Sequence, residues 1–355
     1  MELSNPALVE DPQDITADWL NAALESVGIG LVAASVSTEA VGTGQMGATY
    51  RLGVSWAEGD GPDTLVAKVA AGDPTSRAMV SQGYAAEVGF YRHLSGRTTV
   101  STPGCWYSAI SDDATEFTLL LDDAAPAVPG VQAEGCTTEQ AAAALANLVA
   151  LHAPFWNDPA LEGADYLMRT GPDGAAFLQE LLIGATADFV ERYREDLGSD
   201  EAEVLKTVAD SIADWVVAAG VHSSLIHGDY RLDNLMFAPD GEVVALDWQT
   251  AGVGPALRDV AYFLGTCLDV EQRRQHEEQL VTDYHAGLLR SGVQDYDFEL
   301  CWEDYRLGQL HGPLVTVLGA ILATGTRSES SDAMFLAMAH RCCAAISDLG
   351  SFDLF

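Results

Sequence analysis

The sequence predicts an α+β chain of two lobes: an N-terminal five-stranded antiparallel sheet with one internal helix, then a larger, mostly helical C-terminal lobe. Three observations carry this. Residues 31–70 alternate apolar and polar positions in short runs broken by Gly, Asp and Pro, the period of half-buried strands, and two more strand-like runs follow at 105–110 and 116–121. From Thr137 onward the apolar positions recur at helical spacing instead. A chain of 355 residues with 48% hydrophobic residues has material for two cores, which excludes a mainly disordered polymer.

The elements follow in order. Residues 16–27 form an amphipathic helix behind a capping Thr16. Leu31–Thr43, Thr49–Trp56 and Thr64–Ala70 read as three antiparallel strands, Arg77–Leu94 as the internal helix, and Cys105–Ile110 and Glu116–Leu121 as the last two strands. This bounds an N-terminal lobe at 1–121, with a hinge at 122–130 where Asp, Ala and Pro interrupt the pattern. The helical lobe, 131–355, carries helices at Thr137–Leu151, Gly174–Leu197, Glu201–Ala219, Leu257–Leu268 and Glu271–Leu289, and two segments between Leu300 and Ile346. A β-rich interruption spans Ser224–Trp248. A small sheet lobe joined to a helical one implies a cleft between them.

Seventeen basic against fifty-three acidic residues give a net charge of −36. Such a chain repels phosphate backbones and anionic lipid, so neither a nucleic acid nor a membrane surface is its expected partner. The acidic start, MELSNPALVEDPQD, has no apolar core of a secretory signal. The longest apolar stretch, Pro313–Ala323, falls short of the about 18 residues that span a bilayer. Six cysteines without a C-x-x-C pair read as reduced thiols. The expectation is a cytoplasmic monomer or homodimer.

The chemistry is carried by four motifs. Gly42-Thr-Gly44-Gln-Met-Gly47 fits G-x-G-x-x-G, a pattern that a hairpin turn explains as well as a phosphate site. A dinucleotide fingerprint needs a helix after the loop. Here a strand follows, and strand–Gly loop–strand is the arrangement that covers ATP phosphates in kinases. Next, Lys68 lies inside the apolar strand Leu65–Ala70 and is one of only two lysines, the other being Lys206. An edge position would let it reach water; otherwise it must meet an anion. Glu87, on the next helix among apolar neighbours, is the carboxylate that could hold it, although a surface Glu is the ordinary alternative.

The last two motifs form one segment. Leu225-Ile-His227-Gly-Asp229-Tyr-Arg231-Leu-Asp233-Asn234 is followed by Val243-Val-Ala-Leu-Asp247-Trp. Singly, HGD is an ordinary turn and Asp247 a strand-end cap. In this order, and behind the Gly loop, Lys68 and Glu87, they read as phosphoryl-transfer machinery. Asp229 can accept the proton of an attacking hydroxyl. Asn234 offers a neutral oxygen and Asp247 a charged one to Mg²⁺. Arg231 sits two residues after the base, where protein kinases keep a cation for the γ-phosphate.

These residues, with Gly252-x-Gly254-Pro255…Asp259 behind them, resemble the aminoglycoside phosphotransferase and choline kinase superfamily, the protein-kinase-like small-molecule kinases. The run from His227 to Leu264 is most similar to the ecdysteroid-kinase-like and acyl-CoA-dehydrogenase-associated branches. The resemblance covers about residues 40–265. It implies a protein-kinase-like bilobal fold and ATP- and Mg²⁺-dependent phosphorylation of a hydroxyl on a small molecule. Asp229 would be the base, Asn234 and Asp247 metal ligands, and Lys68–Glu87 the phosphate-positioning pair. Backbone groups near Asp122 and Ala124 would meet the adenine edge, and Asp259 would brace the catalytic loop through its amides. His227 and His152 would be scaffold. The acceptor site would lie in residues 160–200 and 265–345. Gln249 departs from the family, where many members have Glu, and Arg231 departs from antibiotic kinases that lack a cation there. A nucleotide-binding pseudokinase, an aminoglycoside O-phosphotransferase and a protein kinase are the alternatives. The last is disfavoured by HGD in place of HRD and by the short 247–259 interval.

Overall fold

The computed structural model describes residues 8–41, 47–169, 171–218, 222–322 and 327–355. Two compact units account for the chain, and each is assembled from more than one segment. The first comprises Met1–Arg97, Thr102–Ala125 and Asp247–Gln249; the second comprises Thr98–Ser101, Pro126–Leu246 and Thr250–Phe355.

In the first unit, helix α1 (Ala17–Ser26) starts where the Thr16 hydroxyl accepts the Trp19 amide, as the capping pattern predicts. Strands β1 (Val32–Ala40), β2 (Gly47–Glu58) and β3 (Thr64–Ala70) follow. Helix α2 (Pro74–Gly89) then leads into β4 (Cys105–Ile110) and β5 (Phe117–Asp122). The five strands form one antiparallel sheet in the order β1-β2-β3-β5-β4. One face buries Leu52, Leu65, Ala67, Tyr107 and Leu120 against Leu20 and Leu24 of α1. Helix α2 begins earlier than the periodicity suggests, because the Asp73 carboxylate caps the Thr75 and Ser76 amides and Pro74 sits at the first turn. It ends in a π-turn at Phe90–Leu94.

The second unit opens on a short strand β6 (Val128–Pro129) and helix α3 (Thr138–His152), entered through a capping box of Thr137 and Gln140. Helices α4 (Pro172–Arg192) and α5 (Ser199–Ala218) follow. The β-rich interruption is strands β7 (Ser223–Ile226), β8 (Leu235–Phe237) and β9 (Val243–Ala245), with a further strand β10 (Gly252–Pro255) that glycine and proline hide from a propensity reading. β7 pairs antiparallel with β10, and β6-β8-β9 form a separate sheet. Helices α6 (Leu257–Cys267) and α7 (Val270–Arg290) then agree with the sequence reading.

The C-terminal stretch corrects it. Among the described residues three helices, not two, occupy it: α8 (Phe298–Gly308), α9 (His311–Leu322) and α10 (Glu329–Leu349). The unexpected break lies at Gly308. A Cβ there would stand 2.8 Å from the Leu257 carbonyl, so glycine lets the end of α8 pack backbone-close on α6. A core of Phe189, Trp215, Tyr262, Val317 and Ile346 joins these helices. Among the described residues no helix is long and apolar enough to cross a membrane.

Candidate active site

In the first unit, the pleat of β3 turns Lys68 toward α2. Lys68 is 9% exposed, and its ammonium lies 2.8 Å from the Glu87 carboxylate and 2.8 Å from Asp247 Oδ1. Neither ordinary alternative holds: Lys68 does not reach water along an edge, and Glu87, 1% exposed, is not a surface residue. Burial alone would lower the ammonium pKa, but the charges of Asp247 and Glu87 outweigh it and hold it above the usual lysine range. Glu87 moves up, because burial and the neighbouring Asp247 together exceed the pull of Lys68. Two carboxylates thus share one ammonium, and the Asp247 side chain is 39% exposed.

Asp247 is fixed by its neighbours. It adopts φ +63°, a left-handed conformation that Asp tolerates better than most residues. Trp248 stacks on Phe90 with ring centroids 3.6 Å apart and donates its indole N–H to Thr102 Oγ1 at 3.0 Å. A Cβ on Gly47 would meet the Val69 carbonyl at 3.2 Å and Lys68 Cε at 3.5 Å, so glycine lets β2 close over the lysine stem. Gly42 and Gly44 lie outside the described residues. The Asp122 carboxylate takes the Gly104 amide and the Trp106 indole N–H, and its own N–H bonds the Gly104 carbonyl. Ala124, just beyond it, follows the end of β5. Its N–H makes no hydrogen bond among the described residues.

In the second unit, β7 ends at Ile226 and runs straight into His227-Gly228-Asp229. Gly228 holds φ +81°, and a Cβ there would strike the Thr250 carbonyl at 2.5 Å. The buried Asp259 carboxylate takes the His227 amide at 2.6 Å and the Gly228 amide at 2.9 Å. His227 Nε2 bonds the Leu246 carbonyl and His152 bonds Asp259 and the Tyr284 hydroxyl; both histidines are buried within these bonds.

Asp229 is the hub of this loop. Its Oδ2 accepts from Asn234 Nδ2 at 2.9 Å and Arg231 Nε at 3.2 Å, and its Oδ1 from the Tyr262 hydroxyl at 2.9 Å. Asn234 Nδ2 also donates to the Asp229 carbonyl, so its amide is aimed and Oδ1 is left over as an acceptor. Arg231 is clamped on its other side by Asp233 at 2.5 Å. The structure thus groups Asp229, Arg231 and Asn234 in one unit, and Lys68, Glu87, Asp247 and Gly47 in the other.

Two contributors escape a motif reading. Tyr262 lies one turn after Asp259 on α6, so both side chains face the loop; burial and the Asp229 charge raise its pKa well above the usual tyrosine value, keeping the hydroxyl a donor. Helical spacing from Asp259 is the signal that finds it. His311 donates Nε2–H to the Gly228 carbonyl at 2.9 Å, and burial with the nearby Arg258 charge pushes its pKa down to about 4. No local sequence signal marks it. Tyr262→Phe is expected to lower kcat about tenfold, the scale of one hydrogen bond to a charged group, with Tm nearly unchanged. Steady-state kinetics beside thermal unfolding check this split; a large drop in Tm would show a general disturbance of the fold.

Among the described residues no group of three or more His, Cys, Asp or Glu side chains converges on a metal.

Choline kinase from Cryptosporidium parvum aligns with TM-score 0.56 and 7% identity over 90% of this chain and 91% of that one. A thermostable aminoglycoside phosphotransferase variant, solved as a ternary complex with ADP and hygromycin B, aligns with TM-score 0.50 and 13% identity over 93% and 97%. These likenesses establish a shared fold. Acyl-CoA dehydrogenase family member 10 of Mus musculus is 52% identical over 42 residues, 11% of this chain and 4% of that protein, so the chain spans only a small fraction of that relative. The model of the phosphotransferase enzyme family matches residues 44–298. With nearly three quarters of its length inside that match, the chain belongs to the phosphotransferase enzyme family.

Proposed function

We propose that the chain transfers the γ-phosphoryl group of ATP, with Mg²⁺, to a hydroxyl of a small molecule. The observation that carries this reading is Lys68, one of two lysines in the chain, buried between Glu87 and Asp247. A lysine so held is a fixed point charge for phosphate oxygens. The ADP in the aminoglycoside phosphotransferase relative supports an adenine nucleotide. Backbone groups near Asp122 and Ala124, where the Ala124 N–H makes no hydrogen bond among the described residues, would meet an adenine edge. Glycines 42, 44 and 47 would let amides approach the phosphates.

Asn234 and Asp247 would hold Mg²⁺, the first through its spare Oδ1 and the second through its partly exposed carboxylate. When bound, the ion would neutralise charge on the β- and γ-phosphates. Asp229 would orient the acceptor hydroxyl and take its proton as the new O–P bond forms and the bond to the ADP oxygen breaks. Arg231, anchored by Asp233, would offer its charge to the γ-phosphoryl group. Positioning and fixed charge supply most of such catalysis.

The test is incubation with Mg-ATP and a library of small hydroxyl compounds, read by mass spectrometry for the gain of one phosphoryl group. Wild type should convert at least one class. Lys68→Met should lower kcat/KM by about 100-fold or more. Nucleotide binding without transfer to any hydroxyl compound would favour a nucleotide-binding module instead.

A further inference from the structure

Arg258, in the first turn of α6, is 9% exposed and belongs to no part of the phosphoryl-transfer machinery above. Its guanidinium carries five N–H donors. Among the described residues it makes no hydrogen bond and no ion pair, and Nε is fully buried without a partner. The Trp215 ring lies 4.6 Å beneath it. That contact serves the flat face of the cation and leaves the donors along its edge unanswered. The adjacent Asp259 carboxylate is committed to the His227 and Gly228 amides and to His152. Burial lowers the Arg258 pKa to about 10, with Asp259 opposing only in part. A buried charge without a partner is destabilising, and buried arginines are ordinarily paired.

What Arg258 faces is space. It lines a cavity of about 380 Å³ bounded by the loop after α3 and by the β7–β10 ribbon, with Asn157, Ser223 and Gly254 around it. That volume suits a small molecule. Arg169 lines the same cavity and is fixed there by a hydrogen bond to the Leu161 carbonyl. The two acidic lining residues do not answer Arg258: Asp158 caps the Ala160 amide, and Glu162 is exposed. The cavity lies at the Ser223–Pro255 end of the ribbon, whereas the catalytic loop leaves from the Ile226–Gly252 end. Roughly 10 Å of strand separates the two ends.

We propose that this cavity is a binding site for the compact oxyanion of a small molecule, a carboxylate or a phosphate, with Arg258 as its buried fork and Arg169 as its rim cation. A guanidinium fork matches either group through paired N–H donors. The site is distinct from the Asp229 loop, and its existence does not depend on the reaction proposed above.

The test is thermal unfolding of the full chain in inorganic phosphate and in acetate, each against chloride at equal ionic strength. Wild type should gain roughly 1–3 °C in at least one of the two oxyanions. The larger response tells a phosphate from a carboxylate ligand. Arg258→Met should abolish the gain, and Arg169→Ala should at least halve it. A wild type that responds no more to either oxyanion than to chloride overturns the proposal. So does a gain that survives Arg258→Met, since the anion then binds elsewhere. If the Met variant does not fold, Arg169→Ala decides, and an undiminished gain there overturns it.

Discussion

Asp229→Asn is expected to cut phosphoryl transfer by about 10²–10⁴-fold while ATP binding stays close to wild type. The substitution keeps the shape of the side chain and removes its charge and one acceptor. In the wild type every neighbour is a donor: Tyr262 on Oδ1, Asn234 and Arg231 on Oδ2. An amide NH₂ in either position meets a donor instead of a lone pair, so the side chain loses both its ability to take a proton and one of its fixed contacts. The loop itself should survive, because the His227 and Gly228 amides are held by Asp259 and not by Asp229. Single-turnover kinetics with an identified acceptor, beside nucleotide titration, check both halves of the expectation. Turnover within threefold of wild type would remove Asp229 from the role of base.

Part of this arrangement of side chains is legible in the sequence. Lys68 stood out because a lysine-poor chain places it inside an apolar strand, and the pleat then dictates which way it points. Glu87 follows because it lies on the next helix with apolar neighbours on both sides. Such signals are local, and so is the cap at Thr16 or the strand alternation of β3. The missed features are tertiary. Tyr262 joins Asp229 only because α6 packs beneath the loop, and His311 reaches the Gly228 carbonyl from a helix more than eighty residues away in sequence. The close approach of Gly308, at the end of α8, to Leu257 is likewise a contact that no periodicity records. Arg258 looks like an ordinary charged residue at a helix start until its burial and lack of partners are seen.

Asp259→Ala should destabilise the protein by about 3–5 kcal/mol, the usual cost of removing one member of a buried ionic cluster, and lower Tm by roughly 10 °C. Asp259 is fully buried and serves three donors at once: two loop amides and His152. Alanine leaves all three inside the protein with nothing to accept them. The pH dependence identifies the charge as the cause. Burial raises the Asp259 pKa, but the hydrogen bond and charge of His152 and the contacts from His227 outweigh it, and the net shift is downward. A carboxyl whose folded pKa lies below its unfolded one binds fewer protons when folded. Its stabilisation is therefore complete above the unfolded value of about 3.9, and it is lost as pH falls through the depressed folded pKa. Urea unfolding between neutral and acid pH should show this loss in wild type and a shallower one in Asp259→Asn, which keeps one acceptor and no charge. Equal acid slopes in the two proteins would mean that Asp259 fills space beneath the loop without holding it by charge.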